Sequence, residues 1–280
     1  MTLPRRDVLK LGVLLIVVFA LVRPGLLPAQ TAGKVELLWL GQAAWKITTP
    51  GGKVIVIDPW LKTNPKTPAG FKNLAGLGKV DVVLVTHAHP DHVMDAAELV
   101  KMHKVRLYAP PGLSNTLVTL GEVPADLAPG MNMSGIVTPL GPEIKFNMVS
   151  ANHSSEYRWK DPATGVERMY PGGAPVGWII ELENGFKIWH MGDTGLFGDM
   201  KMIGEMYKPD LVLVPIGGNF TINPQQAALA LRDMIKPRFA IPMHYGTYPI
   251  LAGKPEDFVK ALEGSTIRAI VMNPGEEVKF

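Results

Sequence analysis

Thr86-His87-Ala88-His89-Pro90-Asp91-His92 sets three imidazoles and a carboxylate within six residues of one another. In extended backbone, side chains two apart project to the same side, so His87 and His89 can grip one ion. Asp91 and His92, at the start of a predicted helix, turn toward a second. The alternative is a solvated histidine-rich loop, and the density of ligands directly after an apolar strand weighs against it. Only seven histidines occur in the chain, and His153, His190 and His244 fall at or just beyond predicted strand ends. The chain has no cysteine, which excludes disulfides, thiolate metal sites and a cysteine nucleophile. Any metal must therefore bind to nitrogen and oxygen, a donor set that suits zinc by default, with manganese or iron as alternatives.

These residues need elements to hold them. Val35 to Leu40, Trp45 to Thr49 and Val54 to Ile57 read as a β-meander, with Pro50-Gly51-Gly52 as one turn. Asp81 to Thr86 is a continuous apolar run, predicting a strand buried on both faces. Val93 to His103 has helical spacing, and Val105 to Ala109 returns to a strand. A second helix is expected near Ser114 to Leu120. Further strands are expected at Glu143 to Ser150, Val176 to Leu182, Phe186 to His190, Leu211 to Pro215 and Phe239 to Met243. Helices are expected at Phe197 to Tyr207, Pro224 to Ile235 and Pro255 to Leu262. Asn223 before Pro224 is a helix start with an N-cap and a first-turn proline. Strands that alternate with helices in both halves predict an α/β protein. Glu156 to Pro175, carrying Arg158 and Arg168, reads as a long connection that serves as a lid and whose cations favour an anionic small-molecule substrate.

A chain of 280 residues that is 47% hydrophobic and 19% charged can bury a large core. Its net charge of +3 comes from the first thirty residues, and the remainder balances. That leaves no electrostatic footprint for nucleic acid. Residues 1–32 read as an export leader: Arg5 and Arg6 resemble a twin-arginine signal, and Leu11 to Val22 is an apolar run too short for a span of about 20 residues. A periplasmic or extracellular location follows. The alternative is a membrane anchor formed by an uncleaved N-terminus. Residues 33–280 are expected to form one domain; a homo-oligomer remains open.

The H-x-H-x-D-H segment, Asn152-His153-Ser154-Ser155, Gly192-Asp193-Thr194 and Pro242-Met243-His244-Tyr245-Gly246-Thr247 together resemble the metallo-β-lactamase superfamily over roughly residues 35–280. Gly192-Asp193-Thr194-Gly195-Leu196-Phe197 and Pro215-Ile216-Gly217-Gly218-Asn219-Phe220-Thr221 narrow the likeness to the metal-dependent hydrolase branch related to the ascorbate-phosphate lactonases. The resemblance implies a four-layer αββα sandwich. It implies that His87, His89 and His153 hold one divalent ion, that Asp91, His92 and His244 hold another, and that Asp193 bridges them. Two ions about 3.5–4 Å apart share and acidify a hydroxide, and Asp91 can orient it and relay its proton. Gly41-Gln42-Ala43-Ala44 departs from the family pattern, which has a histidine at the second position.

Four residues are expected around the metals. Asp58 resembles the family's acid that steadies a metal-bound histidine, or is a turn-forming aspartate. His190 is read as a satisfied core histidine near the site. Asn219 and Tyr245 can donate hydrogen bonds to an oxyanion or phosphate, with a self-tying loop role as the alternative for Asn219. The expected activity is hydrolysis of a lactone, ester or phosphodiester. The alternatives are a phospholipase-D-like phosphodiesterase and a non-catalytic metal-binding protein of the same fold.

Overall fold

The computed structural model describes residues 33–280; the expected leader lies outside the described residues. Strands β1 (Glu36–Gly41), β2 (Ala44–Thr48), β3 (Val54–Ile57), β4 (Val82–Leu84) and β5 (Arg106–Tyr108) make the first sheet in spatial sequence. In the second half, β6 (Ile136–Val137) and β7 (Lys145–Ser150) precede a separate hairpin, β8 (Glu156–Lys160) and β9 (Glu167–Pro171). Strands β10 (Val176–Glu181), β11 (Lys187–His190), β12 (Leu211–Pro215), β13 (Phe239–Met243) and β14 (Arg268–Ala269) complete the second sheet, whose order is β14-β13-β12-β11-β10-β7-β6. The final strand, β15 (Glu277–Lys279), returns to pair antiparallel with β1.

The period of two along each strand builds the layers. Val82 and Leu84 point into a core shared with Phe146, Trp178, Leu211 and Ile241 of the opposite sheet. Val83 and Val85 point the other way, against Leu99, Val100, Leu113 and Leu117 of the helices Ala96–His103 and Pro111–Thr119. Val212 and Val214 do the same on the second sheet, against Met200, Ala227 and Phe258 of its helices. Helix, sheet, sheet and helix thus stack as the expected αββα sandwich. Each fully buried Leu, Ile or Phe contributes about 1.5–3 kcal/mol to it.

Three local differences have physical causes. The helix expected over Val93 to His103 is interrupted at Asp95, whose buried carboxylate accepts the N–H groups of Leu61 and Lys62 at 2.7 and 3.0 Å instead of continuing a helical face. The helix from Pro224 opens on an Asn223–Gln226 capping box, then widens into a π turn over Ala230–Ile235. The Glu156 to Pro175 connection is not a loose lid. It is the β8–β9 hairpin, with Tyr157 opposite Tyr170 and Trp159 opposite Arg168. Thr116 of the neighbouring helix donates to the Pro171 carbonyl, and the Trp159 indole donates to Glu122. Among the described residues, no helix is long and apolar enough to cross a membrane.

Candidate metal centre

The ends of β3, β4, β7, β11 and β13 face one edge of the sandwich, the usual place for a site at the carboxyl ends of strands. His87 and His89 follow β4, Asp91 and His92 occupy the one-turn helix Pro90–Val93, and His153, Asp193 and His244 follow β7, β11 and β13. The structure brings all seven together as two groups. His87, His89 and His153 form one; Asp91, His92, Asp193 and His244 form the other, with the ligand atoms of each within 4.8 Å of one another. Asp193 reaches both: its Oδ2 lies 3.0 Å from His244 Nε2, 3.7 Å from His153 Nε2 and 4.0 Å from His87 Nε2, while Oδ1 lies 3.4 Å from His92 Nε2.

Neighbouring groups determine which nitrogen of each histidine is free. The Thr86 hydroxyl donates to Asp58 Oδ2 at 2.7 Å, so it accepts from His87 Nδ1 at 3.0 Å and leaves His87 Nε2 as a lone pair. Asp58 Oδ2 also accepts from His92 Nδ1 at 2.7 Å, again freeing Nε2. His89 Nε2 meets Glu156 Oε2 at 3.2 Å, which turns Nδ1 inward, 3.0 Å from His87 Nε2. Carboxylate-held imidazoles of this kind are the common partners of a bound metal. His92 Nε2 and Asp193 Oδ1 are buried and have no hydrogen-bond partner, a costly state that an ion between them would relieve. The nitrogen and oxygen donors therefore fit divalent metal ions.

Electrostatics point the same way. Burial disfavours charge on His87, and with the adjacent His92 it pushes the imidazole well below its ordinary range. Burial also opposes charge on His92, but the carboxylates of Asp193, Asp58 and Asp91 outweigh it and raise this imidazole well above its ordinary value. His244 behaves likewise, its burial overcome mainly by Asp193, and rises to about 9. Burial would raise Asp193 and Asp91, but their histidine neighbours hold both carboxyls below the usual range. In the metal-free protein, His92 and His244 hold protons where a cation would sit, whereas His87 stays neutral.

Asp58 accepts from His92 and from the Thr86 hydroxyl that in turn meets His87, which is the contact expected of a steadying acid; it is fully buried with φ 47°. His190 donates from Nε2 to the Ala43 carbonyl and accepts the Gly192 N–H at Nδ1, leaving no nitrogen for a ligand. It secures the turn that presents Asp193. Asn219 lies exposed in a tight turn at φ 55°, outside the cavity that opens over the ligands. Tyr245 points away from the candidate ligands, packed on Trp39 at 5.5 Å, with its hydroxyl toward the Met272 carbonyl. Neither is placed to hold an oxyanion.

Gln42 was not singled out as functional in the sequence. Its carboxamide Nε2 lies 2.9 Å from Asp91 Oδ2 and 2.8 Å from His244 Nε2, fully buried, with φ 52°. The only signal was its occupation of the position where the family has a histidine. Above the candidate ligands opens a cavity of about 660 Å³, whose lining also includes Trp60, Met94, Phe220, Tyr248 and Leu251. Arg158 and Arg168 are exposed on the hairpin and do not line it.

A family model described as a beta-lactamase superfamily domain matches residues 53–245. The chain is 62% identical over 252 residues to a UPF0173 metal-dependent hydrolase of Cupriavidus necator, covering 89% of this chain and 87% of the relative. It is 39% identical over 260 residues to one from Thermodesulfovibrio yellowstonii, covering 91% and 96%. Among solved structures it is similar to Igni18, described as a novel metallo hydrolase from Ignicoccus hospitalis, with a TM-score of 0.76 and 33% identity over 88% of this chain and 98% of that one. The chain belongs to the metallo-β-lactamase superfamily, among its UPF0173 metal-dependent hydrolases.

Proposed function

We propose that this metal-dependent hydrolase works with two divalent ions, zinc first, and cleaves an ester, lactone or phosphodiester. The observation that carries the reading is Asp193, whose Oδ2 lies within 4.0 Å of His87, His153 and His244 while its Oδ1 lies 3.4 Å from His92, all from one buried position. His87, His89 and His153 would hold one ion, and Asp91, His92 and His244 the other. Bound ions supply Lewis acidity and bring the pKa of a water to about 7. The chain's own residues supply the rest. Thr86 and Asp58 keep His87 and His92 oriented, and Gln42 fixes Asp91 Oδ2 at the cavity floor, where this carboxylate can orient a water and receive its proton.

Elemental analysis of the purified protein beside Asp193→Ala tests the reading. About two ions per chain, falling to one or none in the variant, is the expected result. No stoichiometric metal after reconstitution with zinc, manganese and iron would overturn it in favour of a non-catalytic protein of this fold. A phospholipase-D-like phosphodiesterase is the second reading, favoured by the apolar cavity wall at Met94, Phe220 and Tyr248. The leader adds a site of action outside the cytoplasm, checked by fractionating cells that express the full chain.

A further inference from the structure

The cavity over the ligands has a volume suited to a small molecule, and its polar groups are unevenly placed. Gln42, Asp91, His153, Asp193 and His244 belong to the floor. The wall presents Trp60, Met94, Phe220, Tyr248 and Leu251, with the hydroxyls of Thr63, Ser154 and Tyr248 among its polar atoms. Trp60 is buried, and its one polar atom is spent on Thr63 Oγ1 at 2.7 Å, so what it offers a ligand is an apolar face. It stacks on Tyr248 with ring centroids 5.9 Å apart. Around the mouth, Met94, Phe220 and Tyr248 are 49%, 57% and 43% exposed, a concentration of large apolar side chains in contact with water.

Charge narrows the class further. Among the described residues, no lysine or arginine lines the cavity. A negative charge on the part of the substrate that seats against the wall would thus find no cationic partner there. A neutral carbonyl group brings no such charge and develops a single one only as it reacts.

We propose that the substrate is a neutral carboxylic ester or lactone whose acyl or alkyl part is apolar and seats against Trp60, Met94, Phe220, Tyr248 and Leu251. This rests on the hydrolase reading above. One water is consumed. Its oxygen bonds to the carbonyl carbon, the bond from that carbon to the alkoxide oxygen breaks, and a proton passes to the departing oxygen. The products are a carboxylic acid and an alcohol, joined in one molecule when the substrate is a lactone.

The test compares 4-nitrophenyl hexanoate and γ-nonalactone with the acidic mono-4-nitrophenyl succinate and with bis(4-nitrophenyl) phosphate, on the full chain reconstituted with zinc. The hexanoate should exceed the succinate ester in kcat/KM by roughly tenfold or more, the scale of apolar-pocket discrimination. Phe220→Lys, at an exposed position that folding does not depend on, should narrow or reverse that ratio. Met94→Lys serves as a second variant at the same rim. Equal or faster turnover of the succinate ester or the phosphodiester would overturn the proposal while leaving the hydrolase reading intact. Calorimetric titration of the same protein with hexyl phenyl ketone and with diphenyl phosphate separates the two readings. Ketone binding in preference to the phosphate, with no turnover of any ester, would support the apolar neutral ligand and sink the hydrolase reading. Absence of ketone binding and of ester turnover would overturn both.

Discussion

Asp58 Oδ2 lies 2.7 Å from His92 Nδ1, with both side chains fully buried. The same carboxylate takes the Thr86 N–H and hydroxyl at 2.7 Å, so one side chain fixes two histidines of different groups. Asp58→Asn tolerates the left-handed backbone at φ 47° but presents an amide where His92 needs an acceptor. Zinc affinity, measured by competition with a chromogenic chelator, should fall roughly 10–100-fold. Unchanged affinity would mean that Asp58 serves only the turn.

The raised pKa of His244, about 9, makes stability depend on pH when metal is absent. A group raised above its unfolded value of about 6.5 stabilises fully below that pH, and its contribution fades as pH climbs through 9. His92 is raised too and acts in the same sense. Thermal melts of the metal-free protein should therefore drop steadily between pH 6.5 and 9. Zinc affinity should rise over the same window, because binding must displace those protons. A flat melting profile would argue against protonated histidines in the metal-free site.

Gln42 donates to Asp91 from a strained backbone position. A hydrogen bond to a charged group is worth about 1.5–3 kcal/mol, so Gln42→Gly should weaken retention of the ion beside Asp91 about tenfold or more. Glycine accepts φ 52° without strain, so the fall in metal-free melting temperature reports only the lost hydrogen bond and buried volume, and the loss of the ion should exceed it. Equal losses in both measurements would reduce Gln42 to a packing residue.

Gly192 has φ 63°, and a Cβ there would sit 2.8 Å from Thr86 Cβ and 2.9 Å from the Val176 carbonyl oxygen. Gly192→Ala combines a disfavoured backbone with overpacking, at a cost of about 2 kcal/mol or more. It also displaces the neighbouring Asp193. A melting temperature lower by roughly 4 °C or more, together with reduced metal content, is the expected pair of results.

Arg158 and Arg168 lie exposed on the hairpin and off the cavity wall. Replacing both with alanine should leave KM unchanged for neutral and acidic esters alike. A rise confined to acidic substrates would restore the cationic lid expected from the sequence.

The grouping of the candidate ligands is legible because their chemistry is dense: four of the seven lie within six residues, after a run whose apolarity marks a buried strand. The layers followed from the same periodicity, as Val82 to Val85 shows by feeding two cores in alternation. The hairpin was missed because Glu156 to Lys160 alternates charged residues with aromatics and reads as polar chain, although Tyr157 and Trp159 share one face. β6, β14 and β15 have two or three residues each, too few to show a period. Tyr245 lies off the site because His244 turns the chain at φ 56° and sends the next side chain away from the candidate ligands. Gln42 and Glu156 reach the site through the fold, with no spacing to announce them.

His87, His89, Asp91 and His92 belong to the first sheet's half, whereas His153, Asp193 and His244 follow strands of the second. During synthesis the first four candidate ligands, at 87–92, emerge well before the last three, at 153, 193 and 244. Neither half alone offers the bridging carboxylate together with the histidines on both sides of it. A pair of ions held there would act as a rivet between the sheets, set only after they dock, and chelation would loosen the seam between them as well as the site. Metal content then becomes a certificate of completed folding, and misfolded or truncated chains should be recognisable by their failure to carry it.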